Sequence, residues 1–283
     1  MSSRSDVLIS VNDLPDAVNE GAQVLDVRWK LGEPHGAGYQ RFLEGHLPPA
    51  RFLDLEQVLT GPLTDPTLGR HPLPDAQRLA EGLGKLGIDP NREIIVYDEP
   101  GSFAAGRAWW VLTWAGMNVR VLDGGITAWL AAEAFLREGE PAPIAPTDVQ
   151  LTLGHLPTIT ADELADFDGV VVDARAGERY RGEVEPIDAK AGHVPGAINR
   201  PVGKLWDDKG LLPEPDALLD ALDLPAEVYA GTRPIAVYCG SGVSAAQSLL
   251  ALASLGVNAV LYPPSWSGWS SDPARPVATG ADA

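Results

Sequence analysis

Val24-Leu25-Asp26-Val27-Arg28 recurs as Val171-Val172-Asp173-Ala174-Arg175, and Gly45-His46-Leu47-Pro48-Pro49-Ala50 recurs as Gly192-His193-Val194-Pro195-Gly196-Ala197, each pair 147 residues apart. Ile95-Val96-Tyr97-Asp98 matches Ala236-Val237-Tyr238-Cys239 at a spacing of 141, and Gly116 to Trp129 matches Gly256 to Trp269 at 140. Four matches in the same order are hard to produce by chance, and a long-period repeat fixes architecture before any local pattern does. The chain therefore divides into two like domains, which suits its 283 residues. The expected division is residues 1–140, a linker over 141–157 carrying Pro141, Pro143, Pro146 and Pro157, and residues 158–283.

Each copy alternates strand and helix. Gln23 to Val27, Ile94 to Tyr97 and Val119 to Leu122 are short apolar runs rich in β-branched residues, as are their counterparts Val170 to Asp173, Ile235 to Tyr238 and Ala259 to Tyr262. Such runs suit strands buried on both faces. Ala104 to Ala115 and Val243 to Leu255 read as helices, each stopped by a glycine, Gly116 or Gly256. The expected fold class is α/β: two tandem domains, each a parallel sheet with helices on both faces, and a ligand site beyond the carboxyl ends of the strands.

The chain carries 21 basic and 39 acidic side chains, a net charge of −18, so polyanionic partners would need a local basic patch and none is visible. Nucleic acid and membrane surfaces are not expected partners. No apolar run is long enough to span a bilayer, and Met1 to Val11 lacks the apolar stretch of a signal peptide, which together suggest a cytoplasmic protein. A single cysteine allows neither an internal disulfide nor a multi-cysteine zinc site. The five histidines are scattered, and no phosphate loop or dinucleotide fingerprint occurs, so neither metal nor organic cofactor is expected.

Positions where the copies differ are the informative ones. Cys239 closes a buried strand where the first copy has Asp98, which is no nucleophile. After it, Gly240-Ser241-Gly242-Val243-Ser244 place two glycines in a strand-to-helix turn, where backbone N–H groups and a helix N-terminus would stabilise a partly exposed thiolate. A phosphatase or arsenate reductase needs an arginine six residues after its cysteine, and here that residue is Ala245. His71 is also unmatched, its counterpart being Leu212, whereas His46 and His193 occur in both copies and read as structural turn residues. Arg175, Arg179 and Arg181 follow the first strand of the second copy, where an anion near Cys239 would need a cation. Trp109, Trp110 and Trp114 lie at helical spacing and suit packing.

The repeat, its Asp-x-Arg and Gly-His-x-Pro-x-Ala segments, and the Cys-Gly-Ser-Gly-Val-Ser loop resemble the two-domain rhodanese sulfurtransferases across almost the whole chain. The resemblance implies a first domain without activity, marked by Asp98, and a second whose Cys239 becomes a persulfide cradled by the amides of Gly240 to Ser244. The uncharged loop is similar to that of the mercaptopyruvate enzymes, with Ser244 in place of threonine. Their proton relay maps onto Ser241, His71 and Glu56, the last being Glu where the family more often has Asp. Arg179 matches the arginine that holds the donor anion, and Arg175 the Asp-x-Arg arginine, for which a structural ion pair is expected. A second donor-binding arginine commonly follows Glu-Pro in those enzymes; here Glu185-Pro186 is followed by Ile187. The Asp-Gly that usually precedes Ser-Trp is replaced by Pro263-Pro264, and Trp266 is expected to wall the donor pocket.

The implied activity moves sulfur from a small anionic donor to a thiol, thioredoxin or cyanide. The favoured donor is 3-mercaptopyruvate, with thiosulfate the alternative. A non-catalytic sulfur carrier or binding module on the same fold is the alternative of a different class.

Overall fold

The computed structural model describes residues 3–281. The first sheet holds β1 (Leu8–Ile9), β2 (Gln23–Asp26), β3 (Arg51–Phe52), β4 (Ile94–Tyr97) and β5 (Val119–Leu122), in the order β1-β5-β4-β2-β3. The second holds β6 (Val170–Asp173), β7 (Ile198–Asn199), β8 (Ile235–Tyr238) and β9 (Val260–Leu261), in the order β7-β6-β8-β9. Every pairing is parallel. The central registers correspond, with Leu25 opposite Val96 in one sheet and Val172 opposite Val237 in the other.

Successive strand residues point to opposite faces, and both faces are apolar because helices cover both. Ile95 and Tyr97 of β4 lie in a cluster with Phe42 and Leu47 on the outer side of the first sheet. Ala236 and Tyr238 of β8 lie in the equivalent outer cluster with Trp266 and Trp269. The alternate residues, Ile94 and Val96, and Ile235 and Val237, belong to one core continuous between the domains. That parity has a consequence for the next inward position of each strand: Cys239 joins the shared core, and Asp98 takes the same place in the first copy.

The helices Ala104–Trp114 and Ser244–Ser254 pack against each other at the centre of this interface. Gly106 lets them approach: a Cβ there would lie 2.1 Å from Gln247 Oε1 and 2.7 Å from Gln247 Cα. Each helix is followed by a one-residue cap, Ala115 or Leu255, and then by a glycine at positive φ, Gly116 or Gly256. Trp109 and Trp110 are buried in the shared core, and Trp110 stacks on Trp114.

The repeated histidines have matching structural duties. His46 Nδ1 meets the carbonyl of Phe42 at 2.9 Å and stacks on its ring, and His193 does the same with Tyr180 at 2.8 Å. The Asp-x-Arg motifs correspond too. Arg28 pairs with Asp26 at 2.8 Å and Arg175 with Asp173 at 2.6 Å, each arginine also donating to the carbonyl of the repeated glycine, Gly45 or Gly192. These buried pairs pin the turn after the first long strand of each copy, and in each case the hydrogen bonds offset the desolvation of both charges.

Candidate active site

Cys239 follows β8 directly, and its thiol is buried, with 1% of the residue exposed, rather than partly exposed. Inward parity explains the difference: the side chain enters the domain interface, so access runs through the cavity between the domains. Gly242 N–H donates to Cys239 Sγ at 3.2 Å. Gly242 has φ +81, and a Cβ on it would meet the Pro263 carbonyl at 2.6 Å, so this turn requires glycine twice over. Val243 precedes the helix beginning at Ser244, whose N-terminal end lies behind the thiol. Beneath the loop, Trp266 N–H donates to the Cys239 carbonyl and Ser267 N–H to that of Gly240, both at 2.9 Å.

The Pro263-Pro264 departure is accommodated at Ser265, which takes φ +53 where the first copy has Gly125 at φ +50. Ser265 accepts the Cys239 N–H on its Oγ at 3.2 Å and donates to the Tyr262 carbonyl at 3.0 Å. A serine in the left-handed region costs on the order of 1 kcal/mol, and these bonds hold it there. The turn carries Trp266 away from the cavity. Trp266 is fully buried in the outer core, bonded to the Lys190 carbonyl through Nε1 and lying under the Arg175 guanidinium at 4.6 Å. It supports Arg175 and does not line the cavity over Cys239.

The cavity over the loop has a volume of about 950 Å³ and is lined by Cys239, Gly240, Ser241, Val243 and Ser244, by Arg175, Arg179, Arg181 and Lys204, and from the first domain by Trp29, Lys30 and Arg70. It is a cationic site on an acidic chain. Arg179 reaches it while paired to Glu185 at 2.7 Å and Asp188 at 2.9 Å, and its Nη1 lies 3.4 Å from where a Gly240 Cβ would sit. Arg175 is held by Asp173 and Glu185, the structural duty its repeated motif implied.

The first domain sends His71 to the same loop. Its Nδ1 is 2.8 Å from Ser241 Oγ, and its ring meets Trp29 edge-on at 5.2 Å. Burial, reinforced by Arg107 and Arg70, pulls its pKa down to about 4 against the opposing carboxylate of Glu56, so the imidazole is neutral near pH 7. With hydrogen on Nε2, Nδ1 can accept the Ser241 hydroxyl proton. Glu56 itself bonds elsewhere: its carboxylate accepts from Trp29 Nε1 and meets His35 Nδ1, both at 3.2 Å. It acts on His71 through space, without a hydrogen bond to the ring.

Two residues unremarked in the sequence complete the site. Arg107, fully buried on the helix Ala104–Trp114, donates from Nη1 to the Gly242 carbonyl at 3.2 Å and from Nη2 to those of Leu59, His71 and Pro72 at 3.0 to 3.3 Å. One guanidinium thus ties the loop bearing His71 to the loop bearing Cys239. Burial lowers its pKa to about 10, with Cys239 opposing, and it stays charged at neutral pH. The second is Arg70, beside His71. The signal for both was the one that picked out His71: their counterparts in the repeat are Gln247 and Leu211.

A thiol, a neutral imidazole and a cationic cavity thus meet at one loop, an arrangement chemically suited to attack on an anionic substrate. Comparisons with known proteins agree. The rhodanese-like domain model matches residues 10–132 and 157–272. The chain is 43% identical to the putative thiosulfate sulfurtransferase SseB of Mycobacterium tuberculosis over 99% of both chains. It is 42% identical to a probable 3-mercaptopyruvate sulfurtransferase of Pseudomonas aeruginosa over 91% of this chain and 92% of that one. The solved structure of the 3-mercaptopyruvate enzyme SseA from Escherichia coli superposes with a TM-score of 0.79 at 30% identity, covering 92% of this chain and 98% of that one. The chain belongs to the rhodanese-like family. Within that family it is a sulfurtransferase with two rhodanese-like domains.

Proposed function

We propose that the donor is 3-mercaptopyruvate and that its sulfur passes through a persulfide on Cys239. The observation that carries this reading is the 2.8 Å contact between Ser241 Oγ and His71 Nδ1, a proton route joined across the domain interface beside the thiol. A donor that arrives as a thiol has a proton to relocate, and thiosulfate has none.

In the proposed reaction the Cys239 thiolate attacks the donor sulfur. The new S–S bond forms as the carbon–sulfur bond breaks, its electron pair leaving with the carbon as pyruvate enolate. The donor's thiol proton moves by way of Ser241 and His71 to that carbon, giving pyruvate and a Cys239 persulfide anion. The Gly242 N–H, already directed at Sγ, and the N-terminus of the helix Ser244–Ser254 stabilise the charge. Arg179 holds the donor's carboxylate, Gly240 leaves room for it, and Val243 and Ser244 line its seat. Glu56 opposes the lowering of the His71 pKa from a distance. An acceptor thiol, thioredoxin or cyanide then attacks the outer sulfur and restores the thiolate, an exchange that needs no organic cofactor. The cavity exceeds the size of so small a donor, which suits an acceptor approaching the same thiol.

Thiosulfate is the second reading, favoured by the name of the 43% identical relative. Steady-state rates with both donors decide between them. A kcat/KM for mercaptopyruvate at or above that for thiosulfate is expected, and a thiosulfate value roughly tenfold higher would overturn the assignment.

A further inference from the structure

Arg70 is placed by a built turn. Gly69 before it has φ +77, and a Cβ there would meet the Pro264 carbonyl at 2.3 Å, so the first-domain loop lies directly against the second domain. Arg70 N–H donates to Ser267 Oγ at 3.0 Å, which fixes the backbone across the interface. From this anchor the side chain lines the cavity over Cys239. Its Nη2 lies 3.2 Å from where a Gly240 Cβ would sit, beside the 3.4 Å of Arg179 Nη1 from the same point. Two guanidinium groups from different domains therefore converge on the residue after the nucleophile.

Their carboxylate partners are unevenly divided. Asp188 is shared, with Oδ1 on Arg70 Nη1 and Oδ2 on Arg179 Nη2. Glu185 serves Arg179 and Arg175, and Asp173 serves Arg175. Arg70 is left with one oxygen of one carboxylate, and its Nε and Nη2 are buried without a partner. A buried, charged donor without an acceptor is costly, and an arginine fork is suited to binding an anion in two-pronged fashion. Ile187, where a cation of the second domain could have stood, provides none.

We propose that Arg70 is a donor-binding residue, forming with Arg179 an interdomain clamp, bridged by Asp188, for the anionic head of the sulfur donor. This rests on the sulfurtransferase reading for its substrate, though not for its test. The domain without the cysteine thereby contributes to recognition as well as to proton transfer. Burial and the neighbouring Arg179 also lower the Arg70 pKa, as expected for a cation poorly supplied with negative charge.

The test titrates the reduced wild-type protein, Arg70→Gln and Arg70→Lys with pyruvate, methyl pyruvate and sulfite by calorimetry. Arg70→Gln should weaken pyruvate by about tenfold or more, the scale of a lost charge-assisted hydrogen bond, and leave the uncharged ester unchanged. Arg70→Lys should retain part of the pyruvate affinity, which guards against a Gln variant that is merely misfolded. If sulfite loses affinity in Arg70→Gln while pyruvate does not, the clamp serves an oxoanion head; a loss for pyruvate alone assigns it to a carboxylate. Unchanged affinity for both anions, equal losses for pyruvate and its ester, or no anion binding by the wild type would overturn the clamp. In turnover, KM for the donor should rise while kcat stays within about threefold, and a preloaded persulfide should pass to 2-mercaptoethanol at the wild-type rate. Failure of the wild type to take up sulfur from either donor would overturn the sulfurtransferase reading, while the titrations still decide the role of Arg70.

Discussion

The turns after β4 and β8 occupy the same place in their respective domains and carry opposite chemistry. At Cys239 the loop faces a cavity of about 950 Å³ lined by Arg70, Arg175, Arg179 and Arg181. At Asp98 the corresponding cavity is about 240 Å³ and is lined by Asp98, Glu99, Asp123, Asp207 and Asp208. Asp98 accepts the Ala105 N–H at 2.9 Å, so the first loop turns its amide onto a carboxyl group of its own where the second directs an amide at sulfur. The difference extends to what each domain sends across the interface. From equivalent helix positions, Arg107 reaches the Cys239 loop, whereas Gln247 lines the cavity beside Asp98. One fold can therefore host either sign of site, and the neighbouring domain decides as much as the loop does.

The contrast breaks most severely at the nucleophile. Cys239→Ser should lower turnover with either donor by at least about a thousandfold. Mass spectrometry of donor-treated protein should then lack the one-sulfur adduct present in the wild type; an adduct on the variant would place the persulfide elsewhere. Next in size is Arg107→Met, which deprives the carbonyls of Leu59, His71, Pro72 and Gly242 of their donor and should cost roughly 3 kcal/mol in urea denaturation. Gln247→Met should cost markedly less, and equal costs would deny the asymmetry between the two helices.

His71→Ala should reduce kcat/KM for mercaptopyruvate by about a hundredfold, within the range for a positioned acid–base group, and change thiosulfate by less than about threefold. Because the imidazole titrates near 4, the wild-type profile should show no acid inflection at the ordinary histidine value of 6.5. An inflection there that vanishes in His71→Ala would contradict the buried, neutral ring. The smallest effect is expected at Asp98, whose carboxyl is raised by burial to about 7. The folded protein then keeps a proton that the unfolded chain releases above about pH 4, so this group's stability contribution is present at low pH and falls as pH rises toward 7. Asp98→Asn should remove that dependence, so that its stability relative to the wild type rises from pH 4 to pH 8, read from denaturation midpoints. A parallel shift at both pH values would mean that the carboxyl ionises normally.

Much of this was legible in the sequence because a repeat compares the chain with itself. The shared strands, the glycine helix stops and the structural histidines are whatever both copies keep, and Cys239 and His71 are where they part. Local pattern could not supply distances across the interface. Glu56 lies at a plausible spacing from His71, yet Trp29 and His35 take its carboxylate. Trp266 depends on the backbone of Ser265, whose positive φ nothing in Pro263-Pro264-Ser265 announces. Arg107 sits in an otherwise apolar helix and Arg70 beside His71; each was as unmatched as His71, but only tertiary structure separates a buried cation from a surface one.

The helix Ala104–Trp114 ends the matter for any simpler version of this molecule. After a duplication, the copy that loses its reactive group is ordinarily free to drift or be discarded. Here Arg107, His71 and Arg70 all issue from that copy, and each reaches the Cys239 loop of the other. Removing the half without the cysteine would therefore strip the Cys239 loop of the Arg107 tie, the His71 contact and the Arg70 guanidinium at once.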